Sequence, residues 1–162
     1  MDTIKLKGIV MEDFTNYKVP SLFLVTSNCD WKCEKECGQK VCQNSSLASA
    51  EIKEYNVDTI CKSYINNDIT HAIVIGGLEP FLQFSEIKAL IQCLRFDYNC
   101  MDDVVIYTGY YPEEIIDELN CLQKYCNIII KFGRFIPNQT SHRDDVLGVD
   151  LASDNQYAEK IS

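Results

Sequence analysis

A chain of 162 residues with 46% hydrophobic side chains is long enough to bury one sizeable core, and a single domain over residues 1–162 is expected. Its 24 acidic against 15 basic side chains leave a net charge of −9, which argues against non-specific nucleic-acid binding. Nine cysteines is an odd number, so complete pairing in disulfides within the chain is excluded. Residues 1–7 lack the apolar core of a secretory signal, and no stretch approaches the roughly 18–20 apolar residues of a membrane span. No membrane association is therefore expected, and the location is expected to be cytoplasmic and reducing, where disulfides are rare.

In chain order, residues 4–11 alternate loosely and predict a first strand, and residues 13–18 a polar turn. Pro20-Ser-Leu-Phe-Leu-Val25 predicts a short buried strand. It leads into residues 28–44, NCDWKCEKECGQKVCQN, which hold Cys29, Cys33, Cys37 and Cys42. The segment between these cysteines is charged and polar, so they are not core residues. Thiolates are soft ligands suited to zinc, copper(I) or an iron–sulfur cluster, and a pair of disulfides is the remaining alternative. A loop past the C-terminal edge of a strand is where ligands bind in open α/β sheets.

Ser45 or Ser49 is placed to cap a helix over residues 51–66, with Ile52, Tyr55, Ile60, Tyr64 and Ile65 near helical spacing and Cys61 as core packing. His71-Ala-Ile-Val-Ile75 predicts a strand ending in Gly76-Gly77-Leu78-Glu79-Pro80. Two glycines allow a positive φ or a close approach to a ligand, although a plain tight turn needs the same residues. Proline after Glu79 holds it extended, which directs its carboxylate at the strand edge, suited to a ligand ammonium. His71, at the opposite edge, reads as structural.

Residues 81–96 predict a helix, with Ser85 as a start, and Val104-Val-Ile-Tyr107 a strand ending in Thr108-Gly109-Tyr110. Pro112 opens a helix reaching residue 125. Residues 126–131 form a further buried strand closed by Lys131, a cation that either snorkels to water or contacts an anion. Gly133-Arg134-Phe135, a polar stretch over 137–145, Val146-Leu-Gly-Val-Asp150 and Ser153-Asp-Asn-Gln156 follow. Cys93, Cys100, Cys121 and Cys126 read as core or quiet surface thiols, and the pairs Asp102-Asp103 and Glu113-Glu114 as solvated helix ends. Strands alternating with helices predict an α/β fold with mostly parallel strands. At least four strand–helix steps are too few for an eight-fold barrel, and a small incomplete β/α barrel or a doubly wound sheet fits.

Taken together, the cysteine loop, Gly76-Gly-Leu-Glu-Pro80 and Tyr107-Thr-Gly-Tyr110, each after its strand, resemble the radical S-adenosylmethionine superfamily. More narrowly, the chain is similar to the activating enzymes of anaerobic ribonucleotide reductase. Leu22-Phe-Leu-Val25 running into the first cysteine, Cys42-Gln43-Asn44 in place of Cys-Tyr-Asn, Gly133-Arg-Phe135 and Ser153-Asp-Asn-Gln156 carry that likeness, in order, over residues 21–156. The usual spacing is Cys-x3-Cys-x2-Cys. Cys29 and Cys33 fit it, but no cysteine stands three residues after Cys33. Cys42 is the preferred third ligand, because Cys-Gln-Asn continues the family pattern, and Cys37 is the alternative.

The resemblance implies a [4Fe-4S] cluster on three thiolates with one open iron that binds S-adenosylmethionine. It implies reductive cleavage of that molecule and a glycyl radical formed on the reductase catalytic subunit, with flavodoxin or ferredoxin as electron donor. Gly76 and Gly77 would let the backbone near the methionyl group, Glu79 would meet its ammonium, Thr108 the ribose or carboxylate, and Lys131 the carboxylate. Asn44 joins the same set, and Trp31 or Gln43 would lie near the adenine. Other classes give different expectations: a small radical enzyme acting on a metabolite or peptide, a four-cysteine zinc module, or an electron carrier with Cys37 as a fourth cluster ligand.

Overall fold

The protein is seen in a computed structural model that describes residues 1–28 and 50–162, with Lys35 between them. Cys29, Trp31, Cys33, Cys37, Cys42, Gln43, Asn44, Ser45 and Ser49 lie outside the described residues. The fold is mixed α/β. Strands β1 (Thr3–Asp13), β2 (Ser21–Thr26), β3 (Lys53–Asn56), β4 (Ala72–Gly76), β5 (Asp103–Tyr107), β6 (Ile128–Phe132) and β9 (Tyr157–Lys160) make a seven-stranded sheet in the order β3-β1-β2-β4-β5-β6-β9. Strands β7 (His142–Asp144) and β8 (Val149–Leu151) pair as a separate hairpin.

The four central strands, β2, β4, β5 and β6, run parallel, while β1, β3 and β9 pair antiparallel at the sides. The central strands are apolar runs because both of their faces are covered. All five residues of β4 are buried, as are all five of β6. On one face pack the helices α1 (Val57–Ile65), α2 (Phe84–Gln92) and α3 (Ile116–Leu122). Ile60, Tyr64, Ile87, Leu90, Ile91 and Leu122 there meet Leu22, Leu24, Ile73, Ile75, Ile106 and Ile130 of the strands. On the other face Ala72, Val74, Val105 and Ile129 are roofed by Tyr17, Leu147 and Leu151, which come from a bend and from the hairpin. The roof is fastened by the Lys18 amide to the Leu147 carbonyl (2.8 Å) and by the Tyr17 hydroxyl to Asp103 (2.7 Å).

The mostly parallel sheet agrees with the expectation, and the described strands do not close into a barrel. Several elements differ from the sequence reading, among them the β7–β8 hairpin, which falls on residues read without strands. Within the helix predicted over 51–66, residues Lys53–Asn56 form β3 against β1, and the helix starts only at Val57. Its cap is Asn56, whose side chain accepts from the Thr59 amide. Strand β9, made of the polar residues Tyr157–Lys160, was not expected at all. Asp102 and Asp103 stand at the start of β5 rather than at a helix end, whereas Glu113 and Glu114 are exposed in the first turn of a short 3-10 helix, as the sequence reading has them. Asp102 accepts from the Tyr64 hydroxyl, Asp103 from that of Tyr17, and Glu114 from Arg134.

Candidate functional site

Because β2, β4, β5 and β6 run parallel, their C-terminal ends share one edge of the sheet. The turn after β4 needs its second glycine. Gly77 has φ +93°, and a Cβ there would stand 2.6 Å from Val25 Cγ1. Its small size therefore serves packing of the turn on β2. Gly76 is buried between Phe23 and Tyr107, 3.4 Å and 3.3 Å from where its Cβ would be. The Thr26 hydroxyl donates to the Gly76 carbonyl (2.8 Å), which ties the end of β2 to the end of β4.

Glu79 follows, extended before Pro80, and is 6% exposed. Its carboxylate is met by three donors: the Thr108 hydroxyl (2.7 Å) and the Phe81 amide (3.1 Å) at Oε1, and the Gly109 amide (2.9 Å) at Oε2. Burial holds this carboxyl above its ordinary range, while those hydrogen bonds and the Lys131 charge pull it down. The Glu79 amide donates to the Asn28 carbonyl. Asn28 is the chain neighbour of Cys29, so the cysteine segment departs from the point where Glu79 is anchored.

Lys131 lies on the roofed face of the sheet, in register with Tyr107. Its Nζ donates to the Gly133 carbonyl (3.0 Å) and stands 5.8 Å from the centre of the Tyr107 ring. Burial pushes its ammonium down to about 8, and the Glu79 charge opposes that shift. Thr108, 1% exposed, spends its hydroxyl proton on Glu79 and accepts from the Tyr110 amide (3.0 Å). The edge thus brings Gly76, Gly77, Glu79, Thr108 and Lys131 together. Asn44 and the four loop cysteines lie outside the described residues, and among the described residues no cluster of three or more metal-ligating side chains occurs.

Three contributors were not singled out from the sequence. Gln83 accepts from the Ser27 amide (2.9 Å) and hydroxyl, and donates to the Lys5 carbonyl and to Glu86. It fixes the last turn before the cysteine segment, yet in sequence it is one polar residue on a helix-like stretch. Arg134 and Asn155 belong to motifs that the sequence flagged without a role. Arg134 bonds the Gly109 carbonyl (3.0 Å) and Glu114 (2.7 Å) and lies over the Tyr111 ring. Asn155 donates to the Tyr111 hydroxyl (2.7 Å) and the Arg134 carbonyl (2.6 Å).

Chemically, the edge offers a buried cation, hydrogen-bonding groups and a braced carboxylate beside the root of a thiolate-rich segment. Such a set can hold a small zwitterion next to a metal centre. Cys61, Cys93, Cys100, Cys121 and Cys126 are free thiols. Cys61 is fully buried, as expected of core packing. Among the described residues no helix is long and apolar enough to cross a membrane. A family model described as a 4Fe-4S single cluster domain matches residues 19–156, most of the chain. A search of curated proteins finds no match.

Proposed function

The chain belongs to the 4Fe-4S single cluster domain family, and from that premise we propose that it is a radical S-adenosylmethionine activase. In this reading Cys29, Cys33 and Cys42 hold the cluster, with Cys37 the alternative to Cys42, and one iron stays open for the ligand. When bound, the cofactor pair would supply cleavage of a carbon–sulfur bond, driven by one electron from the external donor, and abstraction of a hydrogen atom. The chain's own residues bind and orient. Lys131 meets the ligand carboxylate, Thr108 lies beside it, and Gly76 and Gly77 let the backbone approach. Asn44 joins them from the cysteine segment. Glu79 has one protein donor at Oε2 among the described residues, which leaves acceptor capacity for the ligand ammonium.

One observation carries the reading. The Glu79 amide bonds the Asn28 carbonyl, so the carboxylate, Thr108 and Lys131 gather where the cysteine segment departs. The substrate proposed is a glycine of the anaerobic ribonucleotide reductase catalytic subunit, with flavodoxin or ferredoxin as electron donor, in the cytoplasm. A sheet that does not close into a barrel would leave the C-terminal ends of its parallel strands reachable by such a protein loop.

Anaerobic reconstitution with iron and sulfide, followed by EPR of the reduced protein, tests this. A [4Fe-4S] signal that changes on adding S-adenosylmethionine is expected, with Cys42→Ala losing it and Cys37→Ala keeping it. A cluster signal indifferent to S-adenosylmethionine means an electron carrier, and tightly bound zinc in place of a cluster would sink the activase.

A further inference from the structure

The two C-terminal motifs have no role in the binding set above, yet the structure folds them around it. Gly133 has φ +105°, and a Cβ there would stand 3.1 Å from the Asn155 carbonyl, so only glycine lets the two segments pack this closely. The Gly133 amide donates to the Tyr110 carbonyl (3.1 Å). The Gly133 carbonyl accepts from both Lys131 Nζ (3.0 Å) and Gln156 Nε2 (3.3 Å). Ser153, fully buried, donates to Asn155 Oδ1 (2.7 Å), and Gln156 Oε1 accepts from the Ala152 and Ser153 amides. Asn155 in turn holds the Arg134 carbonyl, and Arg134 is 9% exposed.

Gly109 is gripped from two sides. Its carbonyl accepts from Arg134 Nη1, and its amide donates to Glu79 Oε2. The two groups belong to successive peptide planes that meet at the Gly109 Cα, so holding the carbonyl restricts the φ and ψ through which the amide is aimed. We propose that Arg134 is a positioning residue: by drawing on the Gly109 carbonyl it aims the Gly109 amide at Glu79 and so fixes Glu79 and Thr108 at the strand edge. Asn155 supports it by bonding the Arg134 carbonyl and the hydroxyl of Tyr111, whose ring lies beneath the guanidinium. The last part of the chain then serves the site without touching the ligand. This rests on the reading that the edge binds S-adenosylmethionine, but the Gly109 bond itself does not.

The test has two readouts on the reconstituted full chain. Arg134→Gln should speed amide hydrogen exchange at Gly109 about tenfold, the scale of losing one charge-assisted bond, while Val105 in the core of β5 keeps its protection. Arg134→Lys, which keeps the charge but not the planar fork, should fall between, and Asn155→Ala should move Gly109 the same way less strongly. Unchanged Gly109 exchange in Arg134→Gln, with Val105 protected, overturns the proposal. The second readout is S-adenosylmethionine affinity in a double-mutant cycle. Arg134→Gln should weaken binding about tenfold alone and add little to Glu79→Gln, because both act through one chain of bonds. Fully additive losses overturn the proposal. A wild-type protein that ignores S-adenosylmethionine removes the functional reading and leaves the exchange readout to decide the positioning role.

Discussion

Lys131 is 7% exposed on β6, and burial lowers its ammonium to about 8 against the attraction of Glu79. Above that pH the folded chain releases this proton, while the unfolded chain keeps it up to the ordinary lysine value of 10.5. The unfolded state therefore binds more protons across that window, and this group's contribution to stability rises with pH there. Ligand binding runs the other way, because only the ammonium pairs with an anion. Affinity for S-adenosylmethionine is expected to fall as pH rises through about 8. Lys131→Met should abolish that dependence and weaken binding about tenfold. Calorimetric titrations on either side of pH 8 check it, and a Met variant with wild-type affinity at both pH values removes Lys131 from the site.

Among the turns, Gly77 carries the sharpest consequence. Gly77→Ala sets a Cβ against Val25 in a left-handed conformation, and a loss of about 2 kcal/mol or more is expected. Gly8 in β1 has nothing within 4 Å of its Cβ direction, so Gly8→Ala should stay within about 0.5 kcal/mol of wild type. Urea midpoints of the two variants check the contrast. The same elements show what a sequence conveys. The strands β4, β5 and β6 were legible because buried parallel strands are unbroken β-branched runs such as Ile128-Ile-Ile130. That their glycine, threonine and lysine ends share one sheet edge was legible too, because parallel strands end together. Strand β3 was not, because Ile52 and Tyr55 stand three residues apart as on one helix face, and the partner that makes it a strand, Ile4, is remote in sequence. Strand β9 reads as polar chain because an edge strand needs little apolar surface. Arg134 and Asn155 could be noticed, but their partner Tyr111 is fixed only by the fold.

Across the whole molecule, one sheet carries two unlike covers: helices on one face, and on the other a bend and a hairpin. Leu147, fully buried, is the hairpin's most deeply buried residue in the second core, beside Leu151. Leu147→Ala is expected to cost about 3 kcal/mol through the cavity it leaves. Both covers close on the same strands, so the loss should appear as one event. Far-ultraviolet and tyrosine near-ultraviolet transitions should shift together in urea, whereas separate transitions would show that the hairpin side melts on its own.

The bonds running from Asn155 through Arg134 and Gly109 to Glu79 are all made between protein groups. They ask nothing of iron. Domains organised by a structural metal collapse when it is withdrawn, because metal binding is their folding energy. Here the bonds at the strand edge involve no metal ligand, and they are expected to persist when iron is withdrawn, which Gly109 amide protection in chelator-treated protein would check. On that expectation biogenesis would divide in time, the strand edge folding first and the cysteines being loaded with iron and sulfide later. Oxygen damage to the cluster would then empty the protein without destroying it, so that recovery calls for reloading rather than resynthesis.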